Sequence, residues 1–216
     1  MLSCVIATLF IALNLPLEEV ERDHTLSMEF VTPHTKWAKP YVRRCKVLYF
    51  TSGRDTHARE IVELMQRFPI DADAVYWTVI VDTPKWQWHG GEAGLERINR
   101  LVKNRYDCYV FNQIPISNLP EGVRREILDA VRDGAGILFL GRGGEDVLKE
   151  EEKIVSSFLP EGSHGYRIGK GRGVKLQAPP SIPYRFGWEV EYDYWQEEFG
   201  RAVIWAAGME VRDSRS

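Results

Sequence analysis

The residues best placed for chemistry follow a short apolar run, residues 137–140 (Ile-Leu-Phe-Leu). They form a glycine-rich turn at residues 141–144 (Gly-Arg-Gly-Gly), which Glu145 follows. An uninterrupted apolar run of this length is typical of a strand buried on both faces of a parallel sheet. A turn at the carboxyl end of such a strand lies where open α/β sheets bind their ligands. Gly141, Arg142 and Glu145 are therefore candidate ligand-binding residues.

This turn has two interpretations. Backbone N–H groups at a turn that leads into a helix favour an anion, and Arg142 adds a fixed positive charge. A tight strand-to-helix turn also needs glycine, because glycine allows close packing and unusual backbone angles. The second interpretation is favoured, since glycine is so common in turns.

A second candidate site lies at residues 51–55 (Thr-Ser-Gly-Arg-Asp), directly after the predicted first strand. The hydroxyls and the glycine suit a phosphate, but Asp55 opposes an anion. Capping of the following helix is the favoured role of Asp55. Arg54 and Asp55 stay candidates because they lie at the same edge of the predicted sheet.

A third candidate is the aromatic segment at residues 86–91 (Trp-Gln-Trp-His-Gly-Gly), predicted as part of a loop after the second strand. Trp86 and Trp88 could stack on a sugar ring or contact a partner protein, with His89 beside them. They could equally fold over the sheet and fill its core. Both interpretations stay open, because exposure decides between them.

An enzymatic alternative draws on acidic and basic side chains near these turns. Asp82, His89 and Glu92 could bind a metal or transfer protons, and Glu145 and Arg142 could join them. Their spacing fixes no geometry, so the sequence predicts no metal site, no cofactor and no catalytic residue. A hydrolase of this kind requires Asp82, His89 and Glu145 to converge in one cleft.

The elements that would position these residues alternate along the chain. Apolar patterns predict strands at residues 46–50, 72–77, 106–111 and 137–140, and helices at 57–68, 92–103 and 121–132. This alternation predicts an α/β fold with a doubly wound, mostly parallel sheet and helices on both faces. Further along, we expect a solvated helix at 145–158, a strand pair at 166–168 and 173–176, and a closing helix at 192–207.

The amino-terminal segment is apolar over residues 2–15, apart from three polar residues. It is too short to span a bilayer and fits a secretory signal, although no Lys or Arg precedes it. A misassigned start codon or a buried helix are the alternatives. We expect a leader at 1–22, a linker at 23–43, a single domain at 44–210 and a tail at 211–216. The protein is exported if the leader is a signal and cytoplasmic otherwise.

The overall composition limits the partners. The formal net charge is −3, which is no electrostatic footprint for nucleic acid. The three cysteines have no Cys-x-x-Cys spacing, so neither a zinc site nor a disulfide framework is expected. Seven Trp and nine Tyr suit contacts with a carbohydrate or a protein. We expect no stable membrane insertion, and either a homo-oligomer or further domains of a longer chain as assembly partners.

Two stretches carry a family resemblance. Residues 106–111 (Tyr-Asp-Cys-Tyr-Val-Phe) and 134–141 (Gly-Ala-Gly-Ile-Leu-Phe-Leu-Gly), in this order of elements, resemble the class I glutamine amidotransferase-like fold. Residues 169–174 and 201–208 look like those of its non-amidotransferase relatives, the ThuA-like domains and the trimerisation domain of family 42 β-galactosidases. The resemblance covers residues 44–209 and implies a flavodoxin-like layout.

The catalytic triad of that family has no counterpart here. The resemblance implies a Gly-x-Cys-x-Gly nucleophile elbow at or near Gly141, where this chain has Gly-Arg-Gly. It also implies a late His-x-Glu pair, but His164 is followed by Gly165 and Tyr166. We therefore expect a non-catalytic binding or assembly module, in an exported carbohydrate-related protein, and no glutaminase activity. The alternatives are the hydrolase described above and a purely structural domain with no ligand.

Overall fold

The computed structural model describes residues 43–52, 59–80, 83–177 and 188–210, all of which lie in the unit formed by residues 36–216. The expected leader, almost all of the expected linker and the tail lie outside the described residues. Arg54, Asp55 and Asp82 also lie outside them.

Eight strands and five α-helices are described. The strands are β1 (Cys45–Ser52), β2 (Ile70–Ile80), β3 (Thr83–Trp88), β4 (Cys108–Asn112), β5 (Gly136–Leu140), β6 (Glu152–Ile154), β7 (His164–Ile168) and β8 (Gly171–Leu176). The helices are α1 (Arg59–Arg67), α2 (Gly91–Leu101), α3 (Glu121–Arg132), α4 (Glu145–Leu148) and α5 (Trp188–Ala206). Within the described ranges, no helix combines the length and the apolar character that crossing a bilayer requires.

The strands form one sheet in the order β3-β2-β1-β4-β5-β8-β7-β6. The five adjacent strands β2, β1, β4, β5 and β8 run parallel to one another. β3 is antiparallel to β2, and β7 is antiparallel to β8. The predicted α/β class with a mostly parallel sheet is therefore confirmed. The order reverses at β1, because the chain goes from β1 to β2 on one side and resumes with β4 on the other.

Two apolar cores lie on opposite faces of the sheet, because successive side chains of a strand point to opposite sides. Val47 and Tyr49 of β1 belong to one core, together with residues of α1 and α5. Leu48 and Phe50 belong to the other, together with residues of α2 and α3. The central strands β4 and β5 are buried throughout, as their continuous apolar sequences predict.

The segment after β2 differs from the prediction. Residues 83–88, predicted as loop, form the antiparallel edge strand β3, in which Trp88 lies opposite Trp77 and Trp86 opposite Val79. An edge strand tolerates Pro84, because one side of its backbone needs no ladder partner. The alternating pattern Trp-Gln-Trp carried the strand signal that the proline obscured.

The predicted helix at 145–158 is also wrong. Only α4, four residues long, is helical, and residues 152–154 form the strand β6 against β7. The charged run at 149–153 favours a helix locally, but long-range strand pairing overrides such propensities. The strand pair predicted from residues 166–168 and 173–176 is confirmed as β7 and β8.

Candidate functional site

The glycine turn at residues 141–144 follows β5 at the carboxyl edge of the sheet, as expected. Gly141, Gly143 and Gly144 have φ angles of 70°, 85° and 89°, which side-chain-bearing residues rarely adopt. A Cβ on Gly144 would also overlap the aromatic ring of Phe139, which lies beneath it. The turn thus needs glycine for its shape and for its packing.

Lys175 of β8 binds the backbone carbonyl groups of this turn. Its Nζ donates hydrogen bonds to the carbonyl oxygens of Gly141, at 2.7 Å, and Gly143, at 2.5 Å. It also pairs with Glu145 Oε1 at 2.7 Å, and the hydrogen bond from Lys175 lowers the pKa of that carboxyl. The Gly141 N–H donates to the carbonyl oxygen of Leu176. The turn therefore presents carbonyls to an internal cation, which favours the structural interpretation over an anion site, and Arg142 stays exposed.

Replacing Lys175 with Met should lower the free energy of unfolding by about 1–2 kcal/mol, since two turn carbonyls lose their charged donor. For a domain of this size the melting temperature should fall by roughly 2–8 °C. Differential scanning calorimetry measures both quantities. Glu145→Gln is the matched control and should cost much less, because the Glu145 side chain is largely exposed. Equal losses in the two variants would contradict this role of Lys175.

The two described cysteines offer no nucleophile. Cys45 and Cys108 are unpaired and fully buried. Burial raises the pKa of the Cys45 thiol to about 12 and that of Cys108 well above its ordinary value. Both stay protonated at neutral pH, and a thiol in that form is a poor nucleophile.

The two candidate tryptophans have different environments. Trp88 is 3% exposed, donates from Nε1 to the Asn118 carbonyl oxygen at 3.2 Å, and packs edge-on against Phe50 and Trp77. Trp86 is 42% exposed at the edge of the sheet. The core interpretation thus fits Trp88, and the surface interpretation fits Trp86.

The structure does not bring His89 and Glu145 together. His89 follows β3 and Glu145 follows β5, and the sheet order places these strands four spacings apart. At ~4.8 Å per spacing, about 19 Å separates the strands, well beyond hydrogen-bond reach. Glu92 lies in the first turn of α2. Among the described residues, no group of three or more His, Cys, Asp and Glu side chains could hold a metal ion.

A buried polar cluster, which we call the Glu60 cluster, consists of Tyr49, Glu60 and Asn112. Asn112 Nδ2 donates to the Tyr49 hydroxyl at 2.9 Å and to Glu60 Oε2, and the Tyr49 hydroxyl donates to the same Oε2 at 3.3 Å. Glu60 is 4% exposed, and Tyr49 and Asn112 are completely buried. Asn112 ends β4 and Glu60 is in the first turn of α1, so the cluster lies at the carboxyl edge of the sheet.

The Glu60 carboxyl is mostly protonated at neutral pH. Burial raises its pKa from 4.5 to about 8, although hydrogen bonds from Asn112 and Tyr49 act in the opposite direction. Further along the same helix, Glu63 and Arg67 form an ion pair with each other at 2.7 Å. A buried carboxyl without a cationic partner prefers to keep its proton.

This cluster was not predicted from the sequence. A signal was present: Glu60, Glu63 and Arg67 occur at helical spacing beside the inward residues Ile61 and Leu64. Charged residues at the border of an apolar helix face are usually solvated, so this pattern alone does not indicate burial. Asn112, which ends a buried strand, was the second signal.

Comparisons with known proteins identify no family. No protein-family model matches the chain, and no curated protein matches it. Two solved structures align over 74% of this chain: Cytoplasmic Protein STM1381 from Salmonella typhimurium LT2, at 12% identity over 99% of its own chain, and Cytoplasmic Protein STM3548 from Salmonella typhimurium, at 11% identity over 98%. Their TM-scores are 0.46 and 0.44, so the likeness supports no argument about function.

Proposed function

We propose that this chain is a doubly wound, flavodoxin-like relative of the class I glutamine amidotransferases that performs no covalent chemistry and acts as a binding or assembly module. Its partner in this proposal is a carbohydrate or a protein. The sheet order, which reverses at β1, and the two cores on opposite faces support the layout.

The main support for a non-catalytic module is the contact between Lys175 and the glycine turn. A nucleophile elbow needs an exposed nucleophile and N–H groups that are directed at a developing oxyanion. Here the turn has no such side chain, and the carbonyls of Gly141 and Gly143 are turned toward the Lys175 ammonium group.

Val79 and Trp86 form the surface that we assign to partner binding. They lie opposite each other on β2 and β3 and are 38% and 42% exposed. They continue the row formed by Trp77 and Trp88, beyond the buried part of that face. An exposed aromatic beside an aliphatic side chain provides a flat apolar platform for a sugar ring or an apolar protein surface.

The test combines binding and turnover. A panel of neutral monosaccharides is titrated against the protein by heteronuclear NMR, and self-association is measured by light scattering. We expect saturable shifts of the Trp86 indole signal with at least one sugar, or a dimer that dissociates in Trp86→Ala. Val155→Ala is the matched control, because Val155 is 99% exposed. Neither response, or hydrolysis of glutamine, aryl esters or aryl glycosides, would refute the proposal.

A further inference from the structure

The Glu60 cluster lies where the strand order reverses. β1 leads through α1 to β2 on one side of it, and β4 lies on the other side with Thr51 opposite Asn112. In open α/β sheets, ligands bind outside the carboxyl ends of the strands at such a reversal. The cluster is therefore positioned for binding, separately from the surface formed by Val79 and Trp86.

One acceptor in the cluster has no donor. Asn112 Oδ1 is fully buried and forms no hydrogen bond with the described residues. Buried polar side-chain atoms nearly always have a partner, and an exception requires an explanation such as a ligand or a bound water. Turning the amide would only exchange its two atoms and leave Nδ2 without an acceptor, because Tyr49 and Glu60 contact only one side of the amide.

One donor in the cluster is also available. Both hydrogen bonds that Glu60 accepts end on Oε2. The proton of the uncharged carboxyl is therefore best placed on Oε1, which makes no bond of this kind to the described residues. The cluster thus combines a free O–H donor on Glu60 with a free acceptor on Asn112.

The surroundings favour an uncharged ligand. β1 and β4 present Tyr49 and Asn112 to Glu60, and Phe199 of α5 packs edge-on against Tyr49 with ring centroids 6.3 Å apart. On α1 itself, Glu63 and Arg67 are paired with each other. Because Tyr49, Asn112 and the protonated Glu60 carry no charge, a charged ligand group would gain no counter-ion from the cluster, and burying it there would be costly.

We propose that the Glu60 cluster binds an uncharged group that both donates and accepts a hydrogen bond, a hydroxyl or a carboxamide, on a small ligand. The ligand donates to Asn112 Oδ1 and accepts from the Glu60 carboxyl O–H. Entry requires the side chains at the strand ends to open, a motion that occurs on the nanosecond to millisecond scale in folded proteins.

Acetamide tests the proposal, with acetate and acetamidinium as charged probes of nearly the same shape and glycerol as the hydroxyl probe. The side-chain amide signals of Asn112 are followed by NMR at pH 6. We expect saturable shifts with acetamide or with glycerol, and none with acetate or acetamidinium. No saturable shift with either uncharged probe, as for a site that holds only water, or equal binding of a charged probe would overturn the proposal.

The pH dependence gives a second measure. Since the pKa of Glu60 is about 8, binding should be about tenfold weaker at pH 9 than at pH 6, in proportion to the protonated fraction. Glu60→Gln keeps a donor at this position, so it should bind the probe with the same affinity at both pH values. Unchanged affinity at pH 9 in the wild-type protein would overturn the proposal.

Two further variants separate this site from the proposed partner surface. Asn112→Val removes the acceptor and should abolish the response; if that variant does not fold, the pH-independent binding expected of Glu60→Gln tests the site instead. Trp86→Ala should leave the acetamide response unchanged, whether or not it affects sugar binding or self-association. Loss of the response in Trp86→Ala would contradict a site at the Glu60 cluster.

Discussion

The free energy of unfolding should fall by on the order of 3–5 kcal/mol as the pH rises from 5 to 9, because of Glu60 alone. Folding raises the pKa of this carboxyl from 4.5 to about 8. Between these values the folded protein holds a proton that the unfolded chain releases, so stability falls as pH increases. The loss begins near pH 4.5 and is complete once the pH exceeds about 8.

Glu60→Gln isolates this contribution. The variant has no titrating group at this position, so it should match the wild-type stability near pH 5 and exceed it at pH 9 by the amount given above. Urea denaturation at a series of pH values measures the difference. Glu63→Gln is the matched control one turn away: it breaks the pair with Arg67 and should lower stability, while the fall between pH 5 and 9 that Glu60 causes remains. Parallel curves for wild type and Glu60→Gln would show that Glu60 is not protonated in the fold.

Gly136→Ala should destabilise the fold by about 3 kcal/mol or more, because the added methyl group would meet backbone that cannot move aside. A Cβ at Gly136 would overlap both the carbonyl carbon and the oxygen of Ala206, and it would lie 2.9 Å from the nitrogen of Ala207. These atoms lie at the carboxyl end of α5, which packs directly against Gly136, the first residue of β5. Contact this close leaves room only for glycine.

Gly122→Ala is the matched control for that substitution. Gly122 lies in the first turn of α3, and a Cβ there would meet no atom within 4 Å. Alanine in place of glycine in an open helical position should stabilise the protein by about 0.5–1 kcal/mol. Chemical denaturation of both variants should therefore give shifts of opposite sign. A Gly136→Ala variant as stable as wild type would show that α5 and β5 do not approach this closely.

The central part of the fold could be predicted from the sequence because the local helix and strand patterns there agree with the long-range packing. The helix predicted at 121–132 matches α3, and the apolar runs that became β4 and β5 are buried on both faces. The two errors, at 83–88 and 152–154, are both edge strands. An edge strand pairs on one side only, so its sequence has a weak pattern and its partner decides its state.

The candidate sites were less predictable for a related reason. The turn at 141–144 was recognised from its glycines, but its Lys175 contact joins residues over 30 positions apart. The Glu60 cluster likewise joins three separate elements, and each of its residues is ordinary by itself. Only the strand order, which no local pattern specifies, brings Tyr49 and Asn112 within hydrogen-bonding distance on the neighbouring strands β1 and β4.

The charged strand β6 has a consequence for the behaviour of the protein in concentrated solution. It closes one end of the sheet with only three residues, of which Glu152 and Lys153 are exposed. A short strand with outward charges is a poor template for the backbone of another molecule. Growth of fibres by strand addition should therefore not start from this end. The charged run at 149–153, whose sequence is typical of a solvated helix, therefore disfavours aggregation at this edge of the sheet.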